Sequence, residues 1–189
     1  PRNKLKTVLL PQGVKKIGKH AFKNCLGLKT MHIPNGVREI SEGAFLWCTS
    51  LKEITLPEGL VTIGNNAFEM CAIDSLEFPT SLKTIGDYAF SNCAKITEVH
   101  FPDRLRSIGD YAFSYCDLKE LHIPSSVEYI GQMAFYDCNS LNSVYTYTVE
   151  PTAITETTFS TFKTATLHIP ATSFWNYYWD IGWSRFNQK

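Results

Sequence analysis

The sequence predicts one solenoid of stacked repeats, in which short parallel β-strands alternate with turn-rich or short helical arcs. Two recurring phrases predict it. Residues 5–11 read LKTVLLP, 28–34 LKTMHIP, 51–57 LKEITLP, 73–79 IDSLEFP, 96–102 ITEVHFP and 118–124 LKELHIP, and each is followed by a phrase of the type V-x-x-I-G-x-x-A-F-x-x-C. Self-similarity at a fixed period of about 20 to 50 residues marks a repeat architecture, because each unit is one supersecondary element that stacks on its neighbours. Phe22, Phe45, Phe68, Phe90, Phe113 and Phe135 lie 23, 23, 22, 23 and 22 residues apart, and Cys25, Cys48, Cys71, Cys93, Cys116 and Cys138 keep the same spacing. The two short periods share one cause. One residue separates Cys71 from Ile73 and Cys116 from Leu118, where two separate Cys25 from Leu28, so the deletion falls in a loop, where it is tolerated best.

Within a unit the first phrase is a strand. Met31 and Ile33 alternate with Thr30 and His32, the period-two signal of one buried face, and Pro34 stops it. Strands are expected at 7–10, 30–33, 53–56, 75–78, 98–101, 120–123 and 166–169 of a right-handed coil. Val37 and Ile40 form a second extended run that turns inward on the opposite side. A small residue (Gly18, Ser41, Gly64, Gly86, Gly109 or Gly131) then permits a tight bend, and Ala-Phe brings the chain back through a helical or irregular arc. At about 1.5 to 3 kcal/mol for each large buried apolar side chain, one unit does not offset its ordering entropy; stacked units bury each other's flanks. A degenerate seventh unit keeps the frame with Leu141, Val144, Ile154 and Phe159, with Phe162 at the cysteine position. An eighth strand, TATLHIP, ends at Pro170, and Ser173, a candidate N-cap, opens a tail containing Phe174, Trp175, Tyr177, Tyr178, Trp179, Trp183 and Phe186. Residues 1–170 are thus the solenoid and 171–189 its aromatic cap.

The combined pattern L-x-x-[VIM]-x-[ILF]-P-x-x-[VL]-x-x-I-G-x-x-A-F-x-x-C closely resembles the BspA-like, or Treponema pallidum-type, leucine-rich repeat, over residues 5–138 in full and more loosely to Pro170. The fold so implied is a leucine-rich repeat solenoid of about seven repeats, 22 to 24 residues each. Gly36 occupies the position where the general leucine-rich consensus has asparagine, so an asparagine ladder there is not expected. The resemblance implies a bacterial, exported or surface-attached protein, and its terminal W-x-x-F pattern, here Trp183 and Phe186, implies a closing cap.

With 18 basic and 18 acidic side chains the net charge is zero, which gives a nucleic-acid or anionic-membrane partner no electrostatic support. No run of 18 apolar residues and no signal peptide is visible. The chain enters its first strand at once from Pro1, without a cap over Leu5, Val8, Leu10, Val14 and Ile17; a trimmed product whose uncapped first rung gathers contacts is therefore expected. The six cysteines are expected to be buried and reduced. Stacked equivalents lie about 4.8 Å apart with parallel side-chain vectors, beyond the Cβ separation a disulfide prefers, and Phe162 at the same position is apolar.

Outward strand positions supply the candidate site. One column reads Leu9, His32, Thr55, Glu77, His100, His122, Tyr145 and His168; its neighbour reads Thr7, Thr30, Glu53, Ser75, Glu98, Glu120, Ser143 and Thr166. Glu98, His100, Glu120 and His122 form a two-by-two group, which either pairs charges across strands, contacts a protein or glycan ligand, or holds a transition metal through both histidines and a carboxylate. The recognition face is centred on Glu77, Glu98, His100, Glu120, His122 and Tyr145. A secondary patch is Trp47, Met70 and Tyr115, in the column two past the arc phenylalanine. The opposite column of Lys15, Arg38, Val61, Lys83, Arg106 and Glu128 reads as solvated charge. No nucleophile elbow, phosphate loop, H-E-x-x-H or C-x-x-C is present, so no catalytic residue or cofactor is assigned. The sequence reading is a non-enzymatic interaction module at the cell surface or secreted, with adhesion to a host or matrix protein as the version the resemblance implies. Alternatives are a carbohydrate-binding or envelope scaffold module and a metal-responsive one.

Overall fold

Each repeat forms one coil of a parallel β-solenoid with about seven turns in the computed structural model, which describes residues 4–188. The unbroken ladder lies on the side of the V-x-x-I runs. Lys16–Ile17, Glu39–Ile40, Thr62–Ile63, Thr84–Ile85, Ser107–Ile108 and Tyr129–Ile130 pair in that order as a six-stranded parallel sheet. Its isoleucines stack in register, Ile17 on Ile40 through to Ile130, and all are buried.

On the first face the strands are less regular than the sequence pattern implies. Thr30–His32 pairs with Glu53–Thr55, and Glu120–Ile123, Ser143–Thr146 and Thr166–His168 form a second group. Between them the expected strands at 75–78 and 98–101 shrink to isolated bridges, Glu53 to Ser75, Glu77 to His100 and His100 to His122. The cause is the size of the inward residue. Phe78 and Phe101 stand where most other rungs carry Leu or Ile; their rings stack at 5.9 Å and both meet Phe113 edge-on, so these two rungs fit larger inward side chains and keep single bridges instead of a continuous ladder. The expected strand at 7–10 is also absent, and Leu9 is 92% exposed. Residues 143–146, in contrast, form a full strand that the degenerate seventh unit did not advertise.

The arcs are turn ladders rather than helices. In the first, the N–H groups of His20, Phe22 and Asn24 donate across to Glu42, Ala44 and Leu46 of the next rung, at 3.0, 2.7 and 2.9 Å. The intervening N–H groups of Ala21, Lys23 and Cys25 donate backward within their own rung. The residues on either side of the central phenylalanine, two before and two after it, turn to positive φ: His20, Asn24, Trp47, Asn66, Met70, Tyr88, Asn92, Tyr111, Tyr115, Met133 and Asp137, together with Gly43. The column glycines serve a different end from a bend. Gly64, Gly86, Gly109 and Gly131 do not have positive φ, but a Cβ on Gly109 would lie 2.5 Å from the Asp87 nitrogen and 2.6 Å from the Gly86 carbonyl carbon. Adjacent rungs touch there.

Inside the coil, Phe22, Phe45, Phe68, Phe90, Phe113, Phe135 and Phe159 make one stack with centroids 5.1 to 5.9 Å apart. All but Phe22, on the first rung, are fully buried. The six cysteines are free and buried as expected, and Phe162 fills the seventh place.

The tail departs from a plain cap. Its helix, Phe174–Trp179, begins after Ser173, but the Ser173 hydroxyl donates to the Pro170 carbonyl at 2.7 Å instead of capping the helix. Tyr177, Trp183 and Phe186 are buried over the last rung. The indole N–H of Trp183 donates to the Thr152 carbonyl at 2.7 Å, and Asp180 Oδ1 accepts from the N–H groups of Gly182 and Trp183. The chain then returns to the first face, where Asn187–Gln188 pairs with Thr166 and Leu167.

Candidate ligand-recognition face

Strand alternation turns the polar members of each first-face phrase to solvent while Met31, Leu76, Val99, Leu121 and Val144 enter the core. Glu77, Glu98, His100 and Glu120 are exposed, and His122 and Tyr145 are half-buried. The bridges place Glu77 beside His100 and His100 beside His122, and the strand register places His122 beside Tyr145 and Tyr145 beside His168. All six expected residues therefore share one ridge.

Two chemically distinct halves make up that ridge. In the first, His100 Nε2 lies 3.2 Å from Glu98 Oε1 and His122 Nε2 lies 3.9 Å from Glu120 Oε2. Thr97, Glu98, Lys119, Glu120, His122 and Asn142 line a shallow hollow of about 330 Å³. In the second half, the His122, Tyr145 and His168 rings stack at 4.4 and 4.2 Å with planes 3° and 9° apart. His122 Nδ1 also shares a 2.6 Å hydrogen bond with the Tyr147 hydroxyl. Tyr145, Tyr147, His168, Ile169 and Pro170 line an adjoining groove of about 310 Å³.

Tyr147 and His168 belong to this site beyond the six residues expected. The signal for Tyr147 was in the phrase itself: LNSVYTY puts it where the other units have the strand-stopping proline, so a phenol stands just past the strand end and reaches His122. The two-by-two group does not close around a metal. Among the described residues no three His, Cys, Asp or Glu side chains come together closely enough to hold one.

On the arcs, Trp47, Met70 and Tyr115 are each 43% exposed, because positive φ aims these side chains away from the core. Trp47 and Met70 sit on consecutive rungs, Lys23 Nζ lies 5.4 Å from the Trp47 ring, and Asn92 separates the pair from Tyr115. Around the opposite sheet, charges are spent on one another. Lys16 pairs with Glu39 at 2.7 Å, Lys19 with Glu42 at 2.7 Å and Arg106 with Glu128 at 2.8 Å. The hydrogen bond from Lys19 holds the Glu42 carboxyl below its ordinary range.

Comparison with known proteins follows this geometry. The model of the BspA type leucine rich repeat region, in six copies, matches residues 2–93 and 61–178. The chain belongs to the BspA-type leucine-rich repeat family. Repeats of this type are generally protein-interaction scaffolds. Among solved structures, this BspA-type chain is similar to a leucine-rich repeat protein from Bacteroides ovatus, with 30% identity, TM-score 0.50, and coverage of 92% of this chain and 34% of that one. It is similar to a leucine rich cell surface protein from Faecalibacterium prausnitzii, with 30% identity, TM-score 0.63, and coverage of 72% and 37%. A T. pallidum leucine rich repeat protein matches at 30% identity and TM-score 0.49, over 72% of this chain and 56% of that one. The chain thus spans about a third of the length of the first two. No curated protein matches it. Among the described residues no helix is long and apolar enough to cross a membrane.

Proposed function

We propose that this BspA-type chain is a non-enzymatic binding module of a bacterial cell surface, and that it engages a host or matrix protein through the ridge of Glu77, Glu98, His100, Glu120, His122 and Tyr145. The observation that carries this reading is the ring ladder of His122, Tyr145 and His168 beside the exposed Glu98 and His100 pair. These side chains stand outside the core, and they set aromatic area, including Tyr145 of a residue type enriched at interface hot spots, beside hydrogen-bonding groups. Surface placement is supported by the cell-surface relative from F. prausnitzii.

The experiment is an affinity measurement against a panel of extracellular-matrix proteins, set beside a glycan array. Wild type should bind a matrix protein, and the His100→Ala, His122→Ala double variant should bind it about tenfold or more weakly, the loss expected when residues at the centre of an interface are truncated. Equal affinity in wild type and variant would move the site to the arc patch of Trp47 and Met70; binding to glycans alone would favour the carbohydrate reading.

A further inference from the structure

The aromatic tail holds two sets of rings with different surroundings. Tyr177, Trp183 and Phe186 close the last rung, and their polar atoms are used inside the protein: the Tyr177 hydroxyl accepts from Thr146 and donates to the Thr148 carbonyl, and the Trp183 indole donates to Thr152. Phe174, Trp175, Tyr178 and Trp179 take no part in that closure. Trp175 is 64% and Trp179 74% exposed, although the four rings touch one another at 4.9 to 5.7 Å.

Tyr178 and Trp179 meet at 90°, so one ring stands as a wall to the other. With Phe186 and Ser184 they line an open groove of about 450 Å³. Three of the lining residues bring neutral polar groups, the Tyr178 hydroxyl, the Trp179 indole N–H and the Ser184 hydroxyl, none of which has a hydrogen-bond partner among the described residues, and no charged side chain lines the groove. The groove is therefore built from aromatic residues and neutral hydrogen-bonding residues alone.

We propose that this groove is a binding site for a pyranose ring of a neutral carbohydrate. A pyranose presents an apolar C–H face that packs on an aromatic ring and an equatorial edge of hydroxyls that exchange hydrogen bonds with neutral donors and acceptors. The right-angled pair supplies the platform and the wall, and the Tyr178, Trp179 and Ser184 groups supply the polar edge. The lack of lysine or arginine in the lining disfavours an anionic lipid headgroup, which draws on basic side chains. This site lies on the tail helix, apart from the ridge on the first face, so it stands or falls separately from the protein-binding reading.

The four tryptophans, Trp47, Trp175, Trp179 and Trp183, give four indole N–H signals for an ¹⁵N-labelled chain. Titration with maltohexaose, cellohexaose and chitohexaose, each to about 5 mM, covers the millimolar range of a single-ring site. At least one sugar should shift the Trp179 signal saturably, and with it that of Trp175, whose ring meets Tyr178 at 5.7 Å, while Trp47 and Trp183 stay in place. Trp179→Ala should abolish sugar binding, read as loss of the saturable Trp175 shift, and an unmoved Trp183 signal reports that the closure is intact. The proposal is overturned if none of the three sugars moves Trp179. It is equally overturned if the signal moves instead on dilution of the protein alone, which assigns the groove to a second copy, or only with phosphatidylcholine vesicles, which assigns it to a lipid surface.

Discussion

The Cys93 thiol donates a 3.1 Å hydrogen bond to the carbonyl oxygen of Phe68, one rung earlier, and the same oxygen accepts the N–H of Cys71. The pattern repeats along the column, from Cys48 to Phe22, Cys71 to Phe45, Cys116 to Phe90 and Cys138 to Phe113, at 3.1 to 3.3 Å. Cysteine is thus more than a small apolar filler: it ties each arc to the one before. Cys93→Ala should cost about 1 to 2 kcal/mol, the sum of a weak hydrogen bond and a small cavity. Urea denaturation of the variant measures it, and wild-type stability would show that the thiol bond contributes nothing.

The same burial makes the fold sensitive to alkali. It pushes the Cys93 and Cys138 thiols up to about 12 from an ordinary 9.0, and Cys71 and Cys116 well above it. In the unfolded chain these thiols ionise near their ordinary value while the native ones stay protonated. Their contribution is therefore full below pH 9.0 and lost as pH rises towards 12. The urea midpoint should fall over that window, and less so in a Cys93→Ala, Cys138→Ala variant. A thiol reagent should find six groups after denaturation and almost none in the native state.

Glycine substitutions should separate rung contact from bend geometry. Gly109→Ala drives a methyl group into the backbone of Asp87 and Gly86, whereas a Cβ at Gly18 meets nothing within 4 Å. Thermal unfolding should show Gly109→Ala destabilised by about 1 to 3 kcal/mol and Gly18→Ala within about 0.5 kcal/mol of wild type. Equal effects would mean that both glycines serve the bend.

Tyr177→Phe should cost about 1 to 3 kcal/mol, because the buried Thr146 hydroxyl loses the acceptor it has at 2.7 Å. Tyr178→Phe, four-tenths or more exposed at that ring, serves as the neutral comparison in the same melting experiment. If both variants melt together with wild type, the tail does not hold the last rung.

The His100→Ala, His122→Ala variant should keep its melting behaviour within about 0.5 kcal/mol. Both rings stand on the outer side of the strands, and the core beneath them is Val99 and Leu121. A larger loss would assign the ring ladder to stability rather than recognition.

The repeat frame was legible because phenylalanine and cysteine recur at a fixed spacing and each serves one stacked column. Column membership on the outer face was legible for the same reason: alternation alone puts Glu98, His100, Glu120 and His122 side by side. What alternation does not carry is the fit of unlike inward side chains, and the rungs that hold Phe78 and Phe101 keep only isolated bridges where two strands were expected. Nor does it carry peptide orientation. The flips that give Trp47, Met70 and Tyr115 positive φ accompany hydrogen bonds between arcs; Asn24 and Asn92 in the same column are of a type that favours this conformation, but Trp47, Met70 and Tyr115 are not, which masks the signal. Tyr147 was missed because it sits in a proline position.

The cross-rung N–H groups of the arcs and those that flank the six-stranded sheet point opposite ways along the stack. The N–H groups of His20, Phe22 and Asn24 reach towards the following rung, while those of Arg38, Ser41 and Gly64 reach back to the preceding one. Their dipoles therefore oppose each other along the axis, unlike the aligned peptides of an α-helix, whose sum leaves a positive and a negative end. Each added coil extends both sets at once, so the end-to-end field grows less with length than it does in a helix of aligned peptides.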